Sequence, residues 1–89
     1  MNNHDAKIFA AQLSDDLPIL DLHGLYPSDA LDRLEIFLFD HHDKNNEKVI
    51  RIVYGGGTGR LGEKVKGYLK NHGLVQEIIE EHGACLAVL

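Results

Sequence analysis

Tryptophan is absent from this 89-residue chain, cysteine and methionine occur once each, and proline occurs twice. The lone cysteine, Cys85, has no partner within the chain. That excludes a disulfide scaffold and fits a reducing compartment, so a cytoplasmic location is expected. No apolar run approaches the ~18 residues of a membrane span, so no membrane partner is expected. The opening Met1-Asn2-Asn3-His4-Asp5 is polar and lacks the apolar stretch of a secretory leader. Basic residues are the minority: nine Lys and Arg face fourteen Asp and Glu, for a formal charge of −5. Taken whole, that balance argues against a nonspecific nucleic-acid coat. What is present, 44% apolar and 26% charged residues, is the mixture of one ordinary globular domain. The oligomeric state is left open, with a monomer favoured.

The charge is unevenly spread. Between Arg51 and His72, Arg51, Arg60, Lys64, Lys66 and Lys70 are opposed only by Glu63, a local charge of +4 that leaves −9 elsewhere. A positive face on a negative domain is what a phosphate would meet.

Residues 1–17 read as an N-terminal extension with weak helical spacing at Ile8, Phe9 and Leu13, or as the end of a linker from a larger protein. The domain is expected over 18–89. Ile19 to Gly24 reads as a short strand whose alternation puts Leu20 and Leu22 on one face and Asp21 and His23 on the other. Pro27 suits a first helical position. Ala30, Leu31, Leu34, Phe37, Leu38 and His41 then predict an amphipathic helix of about 15 residues with an acidic outer face. Lys48 to Tyr54 is a nearly continuous β-branched strand of the kind buried on both faces. Gly55-Gly56-Gly57-Thr58-Gly59 follows, then a second helix marked by Leu61, Val65, Tyr68 and Leu69. Gly73 is expected as its left-handed stop. Val75–Ile79 predicts a third strand, Glu80–Gly83 a turn and Ala84–Leu89 a fourth strand. The order is β-α-β-α-β-β, an α/β fold with right-handed parallel crossovers and an antiparallel last strand.

The glycine loop sits between a strand and a helix, where bare backbone amides and a helix N-terminus suit an anion. Arg60 and Lys64 stand one turn apart behind it. A Walker A loop requires Gly-Lys-Ser/Thr and is excluded. Gly57-x-Gly59-x-x-Gly62 matches a dinucleotide fingerprint, but on the second strand of a small fold rather than the first. A tight turn without a ligand is the plain alternative. Asp21 and His23 share a strand face, and parallel neighbours would bring them to the same sheet edge as the loop. The carboxylate suits Mg²⁺ or the orientation of the imidazole, and the imidazole suits proton transfer. A structural strand-end cap explains the same pair. His41, His42, His72 and His82 read as helix-end or turn residues, and no Cys/His spacing suggests zinc.

Leu20-Asp21-Leu22-His23-Gly24-Leu25, followed by a helix and by Val49 through Gly59, resembles the Smr (small MutS-related) domain family, with its LDxHG and HGxGTG motifs. The similarity runs over about residues 18–89. It implies a two-layer α/β sandwich with a four-stranded mixed sheet, similar to the C-terminal domain of translation initiation factor 3. It further implies DNA or RNA as partner, nicking endonuclease activity in some members and a link to DNA repair. By position, Asp21 and His23 match the pair linked to cleavage, and Gly55, Gly57 and Gly59 match the second motif. Tyr54 stands where the family has histidine, and Gly56 where it usually has a basic residue. Tyr54, Gly55, Gly56, Gly57, Thr58, Gly59, Arg60 and Lys64 are thus the expected phosphate contacts, with Tyr54 free to stack on a base. Two readings stay open. One is a nicking phosphodiesterase, with Mg²⁺ at Asp21 if water attacks and without it if a ribose hydroxyl does. The other is a binding or protein-interaction module without chemistry.

Overall fold

A computed structural model describes residues 5, 6, 8–10 and 16–89. The expected N-terminal extension lies partly outside these residues. Within them, 5, 6 and 8–10 are helical and Ile8 is buried, whereas Leu13 lies outside the description. The elements run β1 (Ile19–Asp21), α1 (Pro27–His41), β2 (Val49–Val53), α2 (Arg60–Lys70), β3 (Glu77–Glu81) and β4 (Ala84–Val88). The sheet order is β1-β2-β4-β3, parallel between β1 and β2 and antiparallel at both β4 pairings. The expected element order and mixed sheet are therefore found.

Register assigns the faces, because paired residues point the same way. Ile50 and Ile52 on β2 pair with Ala87 and Cys85 on β4. Together with Leu22 they form one core with Ala30, Leu34 and Leu38 of α1 and Val65 and Leu69 of α2. Both helices therefore cover this face. The opposite face carries Arg51 and Leu86, with Asp21 beside Val53. β4 is buried along its whole length, which explains its unbroken apolar sequence.

The helices are clasped to each other through Glu35. The Tyr68 hydroxyl and the His72 ring both bond its carboxylate, holding that carboxyl below the usual range, the Tyr68 bond first. The Leu74 amide donates to His72 Nδ1 at 3.1 Å. A neutral imidazole protonated on Nε2 satisfies both neighbours.

Three boundaries differ from expectation. β1 ends at Asp21 rather than Gly24, because the chain reverses at His23 and Gly24, so His23 stands in a turn and not on a strand face with Asp21. β3 is Glu77–Glu81 rather than Val75–Ile79. Its hydrogen-bonding ladder follows β4 to the hairpin, where residues 82 and 83 make the turn, while Val75 packs against the core before the strand begins. Gly73 is not left-handed. The chain leaves α2 at Asn71, whose backbone and side-chain nitrogens both bond the Gly67 carbonyl, at 3.3 and 2.9 Å. That supplies the orphan-carbonyl partner a glycine stop would have provided.

Alkaline pH reads the core directly. Burial pushes the Cys85 thiol up to about 12 from 9.0. Burial and the Glu35 bond push the Tyr68 phenol up to about 12 from 10.0, and burial raises Tyr54 as well. The folded state keeps protons that the unfolded chain releases, so stability is complete below pH 9 and falls between pH 9 and 12. Urea midpoints should be flat to about pH 8.5 and then drop, with ΔG falling by at most about 1.4 kcal/mol per pH unit for each group. In Cys85→Ala the onset should move to about pH 10, where the tyrosines take over. An unmoved onset would remove Cys85 from the account.

Candidate functional site

β1 ends where its alternation meets a turn. Leu22 turns into the core, its amide donating to the Val53 carbonyl at 2.7 Å, and His23 and Gly24 reverse the chain. Asp21 is left on the face away from the helices and His23 in the turn just beyond the strand, with side chains 52% and 69% exposed. Asp21 Oδ1 accepts the His23 amide at 3.1 Å and lies 2.6 Å from its Nδ1. These bonds, the side-chain one first, hold the Asp21 carboxyl below its usual range. An ionised Asp21 makes Nδ1 the protonated nitrogen of the neutral ring and leaves Nε2 with its lone pair.

The glycine loop leaves β2 beside this pair. Asp21 is level with Val53 in the parallel register. A Cβ on Gly55 would stand 3.5 Å from that of His23. His23, Tyr26, the Tyr54–Gly59 stretch and Arg60 line one groove of about 580 Å³. Lys64 lines an adjoining hollow with Arg60 and Pro27. Asp21 stands behind His23, outside the groove wall. The expected juxtaposition of loop and acid–imidazole pair is therefore present.

Not every amide of the loop faces outward. The N–H groups of Tyr54 and Gly55 both donate to the Gly83 carbonyl, at 3.0 and 2.9 Å, and Gly59 donates to Gly56 at 3.0 Å. The Arg60 amide has a long 3.4 Å contact with Thr58 Oγ1. Among the described residues, the amides of Gly56, Gly57, Thr58, Leu61 and Gly62 have no acceptor. Of these, Gly56, Gly57, Thr58 and Leu61 line the groove and are the donors an anion would meet, whereas Gly62 is buried. Left-handed φ values of +50° at Gly57 and +83° at Gly59, the cap of α2, shape this cradle. A side chain at either position would be strained.

Tyr54 takes a different place from the one expected. Its ring continues the Ile50–Ile52 alternation into the helix-side core, is 8% exposed, and lies under Gly62. Its hydroxyl donates to the Ala84 carbonyl at 2.8 Å. It forms the floor of the groove, and its faces are not open to a base.

The positive stretch is also smaller than its sequence suggests. Arg51 pairs with Glu81 at 2.9 Å across β4, on the face away from the helices, and Lys66 pairs with Glu80 at 2.6 Å. Arg60, on the groove, and Lys64, in the adjoining hollow that Glu63 also lines, have no salt-bridge partner among the described residues. No cluster of three or more His, Cys, Asp or Glu among the described residues is arranged for a metal. Two contributors were absent from the expectation. Gly83 anchors the loop from 28 residues away, and Tyr26 is 81% exposed on the groove. Only the Tyr26-Pro27 step, which fixes an extended aromatic residue before a helix, was a local signal for either.

The comparisons agree with this architecture. A family model, Smr domain, matches residues 20–84. Endonuclease MutS2 of Thermomicrobium roseum is 36% identical over 73 residues, covering 80% of this chain and 9% of that protein. Endonuclease MutS2 of Listeria welshimeri is 36% identical over 75 residues, covering 81% and 9%. The chain thus spans about a tenth of the length of these relatives. The crystal structure of the Smr domain of Thermus thermophilus MutS2 superposes with a TM-score of 0.75 at 23% identity, covering 82% of this chain and 98% of that one. That likeness is one of fold. With most of the chain matched by the family model and the fold shared, this chain belongs to the Smr domain family.

Proposed function

We propose that this Smr domain binds DNA or RNA through the groove and nicks a phosphodiester bond there, the reading expected of a cytoplasmic nuclease module. One observation carries it: a hydrogen-bonded Asp21–His23 pair adjoins a loop with open amides. The amides of Gly56, Gly57 and Thr58, with Arg60, hold the phosphate. Asp21 fixes the ring so that His23 Nε2 takes the proton of the attacking hydroxyl and returns one to the leaving oxygen. On RNA the nucleophile is the neighbouring 2′-hydroxyl. On DNA it is water, and a Mg²⁺ would lower that water's pKa. Such an ion would rest on Asp21 and substrate oxygens.

Supercoiled plasmid and a structured RNA, incubated in Mg²⁺ or EDTA, test this reading. Nicked circles or RNA fragments are expected, and EDTA separates the two nucleophiles. Salt-sensitive binding without product in any lane would instead select a binding module. Burial of Tyr54, at the position where the family has histidine, favours that second reading. Reversing both Arg60 and Lys64 to Glu should weaken binding about tenfold or more and reduce the salt slope by about two phosphate contacts. Unchanged affinity and slope would place the nucleic acid elsewhere.

A further inference from the structure

The groove has one aromatic side chain open to solvent. Tyr26 is 81% exposed, the most exposed large apolar residue among those described. A single exposed aromatic is ordinary on a protein surface. This one lines the same groove as His23, the glycine loop and Arg60.

Its backbone is constrained from both sides. Pro27 follows it and excludes the helical region for Tyr26, which is extended at φ −64° and ψ 147°. Its carbonyl accepts the Ala30 amide at 2.9 Å, the first bond of α1. The ring therefore stands on the rigid end of a helix, and its side chain makes no capping bond. A tyrosine has two χ angles to fix, so stacking on such a base loses little entropy.

Resting on the reading of the groove as a nucleic-acid phosphate site, we propose that Tyr26 is a stacking platform for an unpaired nucleobase next to the phosphate held by the loop. The glycine loop, Arg60 and His23 address the backbone, which every nucleic acid shares. An exposed ring on the same groove addresses a base face, which a paired and stacked duplex does not offer. The site therefore prefers single-stranded or locally unpaired substrate to continuous duplex. Tyr26, rather than the buried Tyr54, supplies the aromatic surface. Among the described residues no other large apolar side chain on this groove is exposed to the same degree.

The test measures fluorescence anisotropy of a labelled 15-mer as a single strand, in DNA and RNA forms, and annealed to its complement. Wild type, Tyr26→Ala and Tyr26→Phe are compared. Tyr26→Ala should bind the single strands about tenfold or more weakly and leave duplex binding unchanged. Tyr26→Phe, which keeps the ring, should bind within about twofold of wild type. It should also lose most of the tyrosine quenching that single strands produce in wild type, since the chain has no tryptophan and Tyr54 and Tyr68 are packed against α2 and α1. Equal loss on duplex and single strand, or full affinity in Tyr26→Ala, overturns the platform while leaving the phosphate site standing. Wild-type binding to none of the three probes overturns both.

Discussion

Replacing His23 with alanine should lower the cleavage rate by about 10²–10⁴-fold and leave affinity within about twofold. The split follows from geometry. In the proposed mechanism proton transfer passes through Nε2, whereas the loop amides and Arg60 carry most of the hold on the phosphate. Its side chain is 69% exposed, so removal leaves no cavity. Asp21→Asn should cause a smaller loss. An amide can still accept from the His23 N–H groups, but the charge that balances the imidazolium is gone. Because Asp21 is held ionised below the usual carboxylate range, its contribution should persist into mildly acidic solution and disappear only as that carboxyl protonates. Single-turnover rates with a titrated substrate provide both numbers. A His23→Ala protein that cuts at the wild-type rate would take the imidazole out of the reaction.

Gly62→Ala should destabilise the domain by about 1–2 kcal/mol, although alanine is the better helix former. The new methyl would lie 2.8 Å from Cε1 and 2.9 Å from Cδ1 of Tyr54. That ring cannot readily retreat, because its hydroxyl is tied to Ala84 and its body is in the core. Overpacking of this kind costs about 1–3 kcal/mol, which outweighs a propensity gain of at most about 1 kcal/mol. For a domain this size the expected fall in Tm is about 5–10 °C. Gly67 on the same helix is the internal control. A Cβ there meets nothing within 4 Å, so Gly67→Ala should stabilise by up to about 1 kcal/mol. Thermal melts showing both substitutions with the same sign would refute the contact argument.

Much of this arrangement was legible in the sequence because it follows from short-range rules. Alternation along Leu20–His23 separated the polar pair from the core, and the helix between β1 and β2 required parallel neighbours, which brought the pair and the loop to one edge. What stayed hidden depends on distant partners. Tyr54 reads as an open ring in the sequence because a continuous apolar strand does not announce which face lies under the helices. Gly62 opposite it acquires meaning only once α2 is docked. Arg51 and Lys66 counted as free positive charge until β3 brought Glu81 and Glu80 alongside. The apolar residues Val75 and Ile78 place the third strand two residues early, although an edge strand carries charge readily. Gly73 reads as the helix stop, a task that Asn71 performs with its side chain.

The shared carbonyl of Gly83 ties the hairpin tip to the glycine loop. Two successive amides at the exit of β2 hang from that single oxygen, so the β3–β4 reversal cannot be lengthened or tilted without re-seating the first residues of the cradle. A ligand that drew Gly56 and Gly57 outward would pull on the same oxygen. The tip that looks like a plain connector is thus a mechanical tether, and inserting residues there is equivalent to editing the glycine loop from behind.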